Sequence, residues 1–217
     1  MHLPSGLAGL VSLLSLSRRD DYSFEPDSHP YEDALTGLKF ASYASDRGVI
    51  YRVAIPAIIP ASAEFDTVLQ VVAPISIGWA GFAWGGTMTY NPLAIMWANG
   101  TNNVVVSPRI AYGYYTPPIY EPTTYTVLEK ASYINETHFQ VTATCKGCTK
   151  WGDEDMGYTE VDVSQDVTFG YAFSSNEVDA PQDSESSFAI HDGVGHPIYD
   201  LSVAKNEDFA AKVAAAL

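Results

Sequence analysis

Short stretches in which apolar and polar residues alternate follow one another along most of the chain. Between residues 51 and 55, Tyr, Val and Ile alternate with Arg and Ala, and the same period of two recurs between residues 139 and 144. This period is typical of β-strands that have one face on a core and the other in water. Nine stretches rich in β-branched and aromatic residues, bounded by Gly, Pro, Asn or Asp, predict strands at residues 38–43, 49–55, 67–73, 93–98, 104–107, 125–133, 138–144, 167–173 and 198–203.

Nine short strands predict an all-β fold in which two antiparallel sheets pack face to face as an immunoglobulin-like β-sandwich. The one helix signal lies at the C-terminus. There Asn206 is a candidate N-cap for Glu207–Phe209, and an Ala-rich run continues to Leu217. We therefore expect a β-sandwich that ends in a short helix.

The composition is that of one folded, acidic domain. The 217 residues are 47% hydrophobic and 17% charged, which provides enough apolar material for a single core. A formal net charge of -15 at pH 7 argues against nucleic acid and anionic membranes as partners, because both are negatively charged. No apolar run approaches about 18 residues, so no membrane-spanning helix is predicted.

The N-terminus has features of a secretory leader. An apolar stretch from Leu7 to Leu16 is followed by the basic pair Arg18-Arg19. We interpret residues 1–19 as a leader and residues 20–217 as the mature domain. No Lys or Arg precedes the apolar stretch, so a short buried helix is the alternative interpretation.

Two further features favour a secreted, extracellular protein. The sequons at Asn99 and Asn135 are candidate glycosylation sites, which are used only along the secretory route. The only two cysteines, Cys145 and Cys148, favour a short disulfide-closed loop in an exported chain. A zinc site is the alternative, but it needs two further ligands, and His138 is the sole nearby candidate.

Standard catalytic signatures are missing from the sequence. It has no nucleophile elbow, no zincin motif and no phosphate-binding P-loop. Ten acidic residues and no basic residue lie between Gly152 and Glu185, which we interpret as a solvated face rather than as paired carboxylates for glycoside chemistry. A hydrolase or a nucleotide-binding enzyme is therefore not favoured.

The segment from Gly78 to Tyr90 is unusually rich in aromatic residues and glycines. Glycines in a strand allow a flat ligand to approach closely, and large rings can wall an apolar slot for it. Met88 lies near the end of the segment, and its thioether is a soft ligand suited to reduced iron. The alternative is that Met88 fills a gap in the core. The candidate wall residues are Trp79, Phe82, Trp84 and Tyr90.

A second candidate ligand lies about a hundred residues further along the chain. His191 ends an apolar stretch and precedes an Asp-Gly turn, which makes its imidazole a candidate axial ligand. The alternative is a hydrogen-bonded histidine that caps the turn. His196, before Pro197, is expected on a loop. A distant His and Met become informative only if one flat cofactor lies between them.

Six motifs in a fixed order carry a resemblance to a known family. They are Gly78-Trp79-Ala80-Gly81, Gly85-Gly86-Thr87-Met88, Pro92-Leu93 with Trp97, Arg109 to Tyr114, Cys145-x-x-Cys148-x-x-Trp151, and His191 to Gly195 ahead of Asp200-Leu201. Together they resemble the cytochrome domain of fungal cellobiose dehydrogenase over roughly residues 31–217. The ordered set is far more specific than any one of its members.

This resemblance implies a β-sandwich that holds one b-type haem without covalent attachment. Met88, in the Gly-Gly-x-Met segment, matches the methionine ligand of the iron, and His191 matches the histidine ligand. Tyr114 resembles the aromatic residue that lies near a haem propionate in the family, with Tyr112 as the alternative.

The cysteine pair, Cys145 and Cys148, matches the disulfide of the family. His196 departs from the family pattern, because an apolar or aromatic residue is expected there, and it is an alternative to His191 as the imidazole ligand. The flavin-containing dehydrogenase domain that oxidises sugar is missing from the sequence. We therefore expect no sugar oxidation from this chain by itself, whether it is a stand-alone cytochrome or part of a longer protein.

The ligand set predicts an electron relay. Two protein ligands leave no iron position for oxygen or substrate, so the centre passes single electrons. The resemblance implies a flavin-dependent dehydrogenase as donor, in the same chain or another, and a copper polysaccharide monooxygenase or ferric ion as acceptor. We expect a monomer. Two alternatives remain: a carbohydrate-binding β-sandwich without redox activity, and a ferric reductase module tethered to a membrane by a further segment.

Overall fold

A computed structural model describes residues 25–59, 64–100, 103–155 and 157–217. The predicted leader, residues 1–19, lies outside the described residues. Most of the predicted strands are present, and short additional strands occur between them. In chain order the elements are β1 His29–Glu32, β2 Lys39–Ala44, β3 Ile50–Pro56, β4 Thr67–Pro74, β5 Trp79–Ala83, β6 Pro92–Ala98, β7 Val104–Ile110, β8 Thr124–Val127, β9 Tyr133–Ile134, β10 His138–Lys146, β11 Lys150–Asp153, β12 Gly157–Glu160, β13 Val167–Thr168, β14 Gly170–Ser174, β15 Gly193–Gly195, β16 Ile198–Tyr199, β17 Lys205–Asn206 and helix α1 Phe209–Ala216.

Two large sheets form the predicted antiparallel β-sandwich. The larger sheet has the strand order β1-β2-β3-β4-β10-β8, with β17 beside β3 and β9 beside β10. The smaller sheet has the order β15-β14-β5-β6-β7. Strands β11 and β12 form a separate hairpin, and β13 pairs with β16. The all-β prediction is therefore confirmed.

The core lies between the two sheets and follows the period of two. From the larger sheet it receives Tyr51 and Val71, and from the smaller sheet it receives Phe82 on β5. The neighbours of Phe82 along β5, Gly81 and Ala83, point the other way, because successive side chains of a strand alternate between its faces. The smaller sheet therefore has a second, outer face that is also apolar.

The polar residues on the outer face of the larger sheet predict that this face is exposed to water. In the structure these residues are buried. Arg52, Gln70 and Thr142 lie directly opposite one another on β3, β4 and β10. Arg52 donates to Gln70 Oε1 (2.6 Å), and Gln70 donates to Thr142 Oγ1 (3.0 Å). All three are buried, and the Arg52 guanidinium stacks on Tyr31. The prediction was wrong because this cross-strand ladder satisfies the polar groups without water.

The C-terminal helix is present but begins later than predicted. Its N-terminal cap position is Asp208, whereas Asn206 is buried in β17. There the Asn206 side chain accepts from the Lys39 amide and donates to the Lys39 carbonyl, both at 2.9 Å. Asn206 therefore joins β17 to β2 instead of capping a helix. Phe209 and Ala216 place one side of α1 on the outer face of the larger sheet.

The predicted strand at residues 198–203 is shorter in the structure. It ends as β16 at Tyr199, and a single 3-10 turn, Leu201–Ala204, follows. The side chain of Asp200 caps that turn by accepting from the Ser202 amide (2.8 Å). This local bond competes with strand extension, as short polar side chains commonly do.

Within the described residues, no helix has the length and apolar character needed to cross a membrane.

Candidate functional site

A cavity of about 510 Å³ lies on the outer face of the smaller sheet. Its floor consists of small residues of β5 and β14, namely Gly81, Ala83, Gly170 and Ala172. Because these residues carry at most one methyl group, the sheet surface there is low and flat. Leu93 and Ile95 of β6 form part of the apolar wall of the cavity. The size and lining are those of a site for one small ligand or cofactor.

Met88 lines this cavity from the loop between β5 and β6. The loop is closed by Asn91, whose Nδ2 lies 3.1 Å from the Thr87 carbonyl, 2.9 Å from Thr87 Oγ1 and 3.0 Å from the Thr89 carbonyl. Gly85 provides the space for this side chain, since a Cβ there would lie 1.9 Å from Asn91 Oδ1. Asn91 therefore fixes the position of Met88, a role that sequence reasoning missed.

His191 lines the same cavity from the segment before β15. Its neighbour Asp192 anchors the segment: the Asp192 amide donates to the Phe173 carbonyl (2.8 Å), and its carboxylate accepts from the Ser175 amide and hydroxyl (both 2.6 Å). These bonds lower the pKa of Asp192. Among the described residues, no hydrogen bond engages the His191 ring. The turn is therefore capped by Asp192, and the His191 imidazole is available as a ligand.

His196 is a second imidazole at the cavity, at the other end of β15. Its Nδ1 donates to the carbonyl of Gly86 at 2.6 Å, which ties the end of β15 to the Met88 loop. Gly86 has a φ of +80°, a conformation that favours glycine. Gly170 makes room for this contact, because a Cβ there would lie 2.8 Å from the Gly86 carbonyl oxygen.

Arg109 organises the rim of the cavity. It is 3% exposed, and its guanidinium donates to the carbonyls of Pro117 (2.8 Å), Ser184 (3.0 Å) and Ser186 (2.9 Å). These bonds join the loop after β7 to the segment before β15. Burial lowers the pKa of Arg109, but from an ordinary value high enough that it stays a cation at neutral pH. Arg109 belongs to one of the six sequence motifs, but its structural role at the rim was not predicted.

Trp79 provides a buried donor that lacks an acceptor. The residue lines the cavity, is 2% exposed and packs against Phe188 with ring centroids 4.9 Å apart. Its indole Nε1 has no hydrogen-bond partner among the described residues. Leaving such a donor unpaired costs about 1–3 kcal/mol, so native proteins rarely do so. The nitrogen itself has almost no accessible surface, so the Trp79 ring meets the cavity with its carbon atoms rather than with its donor.

The cavity therefore brings together four of the seven residues predicted at the cofactor site, among them Trp79, and leaves out Phe82, Trp84 and Tyr90. Met88, His191 and Tyr114 line it, and Tyr114 is 93% exposed at the rim. Trp84 lies in the core between the sheets, where its Nε1 donates to Tyr125 Oη (2.9 Å). Trp84 follows β5 directly, and its side chain points into the core on the same side as Ala80 and Phe82. Tyr90 has a φ of 61° and is exposed outside the cavity.

The remaining predicted residues lie away from the cavity. Cys145 and Cys148 form the expected disulfide, which leaves no thiolate for zinc. Asn99 is buried, and its Oδ1 accepts from the Asn103 amide (3.2 Å). Asn135 is exposed in the turn before β10, with its Oδ1 bound by nearby donors. Of the two sequons, the geometry favours Asn135 as the accessible one.

Comparison with known proteins identifies relatives of the chain. The family model for the cytochrome domain of cellobiose dehydrogenase matches residues 31–211. The pyrroloquinoline quinone-dependent pyranose dehydrogenase of Coprinopsis cinerea is 27% identical over 203 residues, which are 93% of this chain and 27% of that protein. The chain thus spans about a quarter of the length of this relative.

Two solved structures share the fold. The cytochrome b domain of pyranose dehydrogenase from Coprinopsis cinerea has a TM-score of 0.77 and 24% identity, covering 88% of this chain and 96% of that chain. The cytochrome domain of Myriococcum thermophilum cellobiose dehydrogenase has a TM-score of 0.78 and 22% identity, covering 89% and 98%. Since the family model matches most of the chain, this protein belongs to the family of cytochrome domains of cellobiose dehydrogenase.

Proposed function

We propose that this chain is an extracellular b-type cytochrome domain that relays single electrons, with Met88 and His191 as the axial ligands of a non-covalent haem b. The observation that carries the proposal is their meeting at one apolar cavity. The thioether and imidazole donors come from segments about a hundred residues apart. Met88 packs, partly buried, against the apolar outer face of the smaller sheet and also lines the cavity, and the His191 ring has no hydrogen bond among the described residues.

The residues of the cavity fit a haem in shape and in donor chemistry. Gly81, Ala83 and Ala172 provide a flat floor for a planar group, and the surrounding apolar side chains exclude water from it. A soft thioether stabilises the lower oxidation state of iron, and an imidazole binds iron in both states. The haem, when bound, supplies a one-electron couple. Two side-chain ligands leave no iron position for oxygen or a sugar.

The rim of the site fits exchange of electrons with another protein. Tyr114 and Tyr115 line the cavity and are also largely exposed, so the site reaches the molecular surface. Partners in electron transfer meet through small and weak interfaces, which need no deep cleft. The proposed electron donor is a flavin-dependent or other dehydrogenase domain, since the named relatives are dehydrogenases. The proposed acceptors are a copper polysaccharide monooxygenase or ferric ion.

Four exposed tyrosines favour a second candidate, a carbohydrate-binding module. Tyr90, Tyr112, Tyr114 and Tyr115 are each more than half exposed, and the rings of Tyr90 and Tyr112 contact edge to face at 5.9 Å. Exposed rings of this kind stack on sugars. A sugar-binding module would be colourless and would bind cellulose or a pyranose in the absence of haem.

An absorption spectrum of the purified protein, before and after reduction with dithionite, tests the proposal. We expect a coloured protein whose spectrum sharpens on reduction, and acid-acetone extraction should remove the haem because no covalent bond holds it. A colourless protein that neither retains added haemin nor changes on reduction would contradict the proposal and favour the carbohydrate-binding module.

A further inference from the structure

The disulfide-closed turn between β10 and β11 contacts both ends of the loop that carries Met88. We propose that Trp151, just after this turn, is a positioning residue for Met88, and that Tyr125 supports the same loop at its other end. This inference rests on the proposed haem site and deepens it, because it assigns the support of one proposed ligand to residues that do not line the cavity.

The end of the Met88 loop has a backbone conformation that needs support. Tyr90, two residues after Met88, is the only non-glycine residue with a positive φ (61°) in the part of the chain that the structure describes. A residue with a Cβ keeps such a conformation only where its surroundings fix it. The Tyr90 amide donates to the Ala111 carbonyl (2.8 Å), and the Tyr90 carbonyl accepts from Trp151 Nε1 (3.1 Å). Both backbone groups of Tyr90 are therefore held, each by a different segment.

The loop transmits this support to Met88. Asn91, which follows Tyr90, donates to the carbonyls of Thr87 and Thr89 on either side of Met88 (3.1 and 3.0 Å). Because these bonds tie residues 87–91 into one unit, a displacement of the Tyr90 carbonyl displaces Met88 as well. The Met88 side chain is only partly buried, so its position depends on the backbone that carries it.

Trp151 is itself a fixed point. It is 6% exposed and belongs to the core between the two sheets. Thr149, two residues earlier, is fully buried, and its Oγ1 accepts from the Phe65 amide (3.0 Å) and donates to the Phe65 carbonyl (2.9 Å). The Cys145–Cys148 disulfide closes the turn directly before Thr149. The indole N–H of Trp151 is thus held at a defined place before it meets the loop.

The start of the Met88 loop is supported through Tyr125. Trp84, which precedes Gly85 and Gly86, donates from Nε1 to Tyr125 Oη (2.9 Å). Burial raises the pKa of Tyr125, so the hydroxyl keeps its proton. It lies 3.4 Å from Cys148 Sγ, and the hydroxyl is the donor because a disulfide sulfur carries no proton. The disulfide-closed turn therefore supports the loop at Trp84 through Tyr125 and at Tyr90 through Trp151.

Deletion of the Trp151 donor tests the inference. Trp151→Phe keeps an aromatic ring in the core and removes the N–H that binds Tyr90. In the haem-loaded, reduced protein, carbon monoxide can bind iron only after Met88 has left, so its binding rate reports how firmly the loop holds Met88. We expect this rate to rise about three- to tenfold, as for the loss of one hydrogen bond. The midpoint potential should fall, because a thioether favours the lower oxidation state.

Two further variants complete the test. Tyr125→Phe removes the hydroxyl between Trp84 and Cys148 and should change both quantities in the same direction; it decides the matter if Trp151→Phe does not fold. Trp97→Phe is the matched control, because Trp97 Nε1 also donates to a backbone carbonyl, that of Pro181 (2.9 Å), outside the Met88 loop. In this control the carbon monoxide rate and the midpoint potential should equal those of the wild-type protein.

Hydrogen exchange gives a readout that does not depend on iron chemistry. Mass spectrometry of peptides that span residues 85–91 should show faster exchange in Trp151→Phe and unchanged exchange in Trp97→Phe. Wild-type values of exchange, carbon monoxide binding and potential in Trp151→Phe, or equal changes in Trp97→Phe, overturn the inference and leave the haem site in place. A wild-type protein that holds no haem overturns the proposed function, and the role of Trp151 towards an iron ligand with it.

Discussion

Trp79 tests whether the apolar wall of the cavity contributes to haem binding. In Trp79→Phe the unpaired donor is removed, which offsets the loss of packed ring, so the free energy of unfolding without haem should change by less than about 1 kcal/mol. Haem affinity should fall by about tenfold, because the smaller ring buries less apolar surface against the bound group. Haem titration and chemical denaturation measure the two effects.

Trp97 provides the matched control for this substitution. It is equally buried, but its Nε1 donates to the Pro181 carbonyl (2.9 Å), and it does not line the cavity. Trp97→Phe should therefore destabilise the haem-free protein by about 1–3 kcal/mol more than Trp79→Phe, with haem affinity unchanged. Equal haem affinity in Trp79→Phe and the wild-type protein would remove the indole from the haem site.

Met88 should set the reduction potential. Thioether ligation raises the potential of a haem, and axial ligands together span about 0.8 V. Met88→Leu should lower the midpoint potential by on the order of 0.1 V or more, whichever group replaces the sulfur. Potentiometric titration followed at the reduced absorption bands measures this shift, and an unchanged midpoint would exclude Met88 as a ligand.

The loop between β5 and β6 functions as a unit held by Asn91. Asn91→Ala removes the bonds to Thr87 and Thr89, each of which contributes about 0.5–1.5 kcal/mol, and the loop should no longer hold Met88 in place. Haem affinity should fall about tenfold or more. Asn135→Ala is the control, because it disrupts a comparable turn in the other sheet. Equal haem loss in both variants would mean that the loop has no specific role.

At the scale of elements, local pattern predicted the strands, whereas side-chain pairing across the fold could not be predicted. Period-two alternation located β3 and β10, and the β-branched content located β4, each to within one or two residues. Asn206 was misassigned because its partner Lys39 lies 167 residues away, and sequence offers no signal for that bond. Trp84 was predicted in the wall of the ligand cavity, but it lies in the core between the sheets. The sequence does not show which face of β5 packs against the other sheet, and that face decides the direction of the Trp84 side chain.

The net charge of the whole molecule should control its encounters with electron acceptors. With a formal charge of -15, the protein attracts cationic reactants and repels anionic ones, an effect worth about tenfold or more in association rate at low salt. A cationic acceptor should therefore oxidise the reduced protein faster than an anionic acceptor of similar potential. The gap should shrink in about 0.5 M salt, because screening then acts over a few ångströms. Stopped-flow rates that are equal for both acceptors at low salt would contradict steering.

The most direct test of the haem site is the haem content of two histidine variants after expression and purification. His191→Ala removes a proposed iron ligand, whereas His138→Ala removes a ring whose Nδ1 contacts only Thr137 Oγ1 among the described residues, on the larger sheet. The account predicts about one haem per chain in the wild-type protein and in His138→Ala, and almost none in His191→Ala despite a native far-ultraviolet spectrum. Full haem content with an unchanged reduced spectrum in His191→Ala would contradict it.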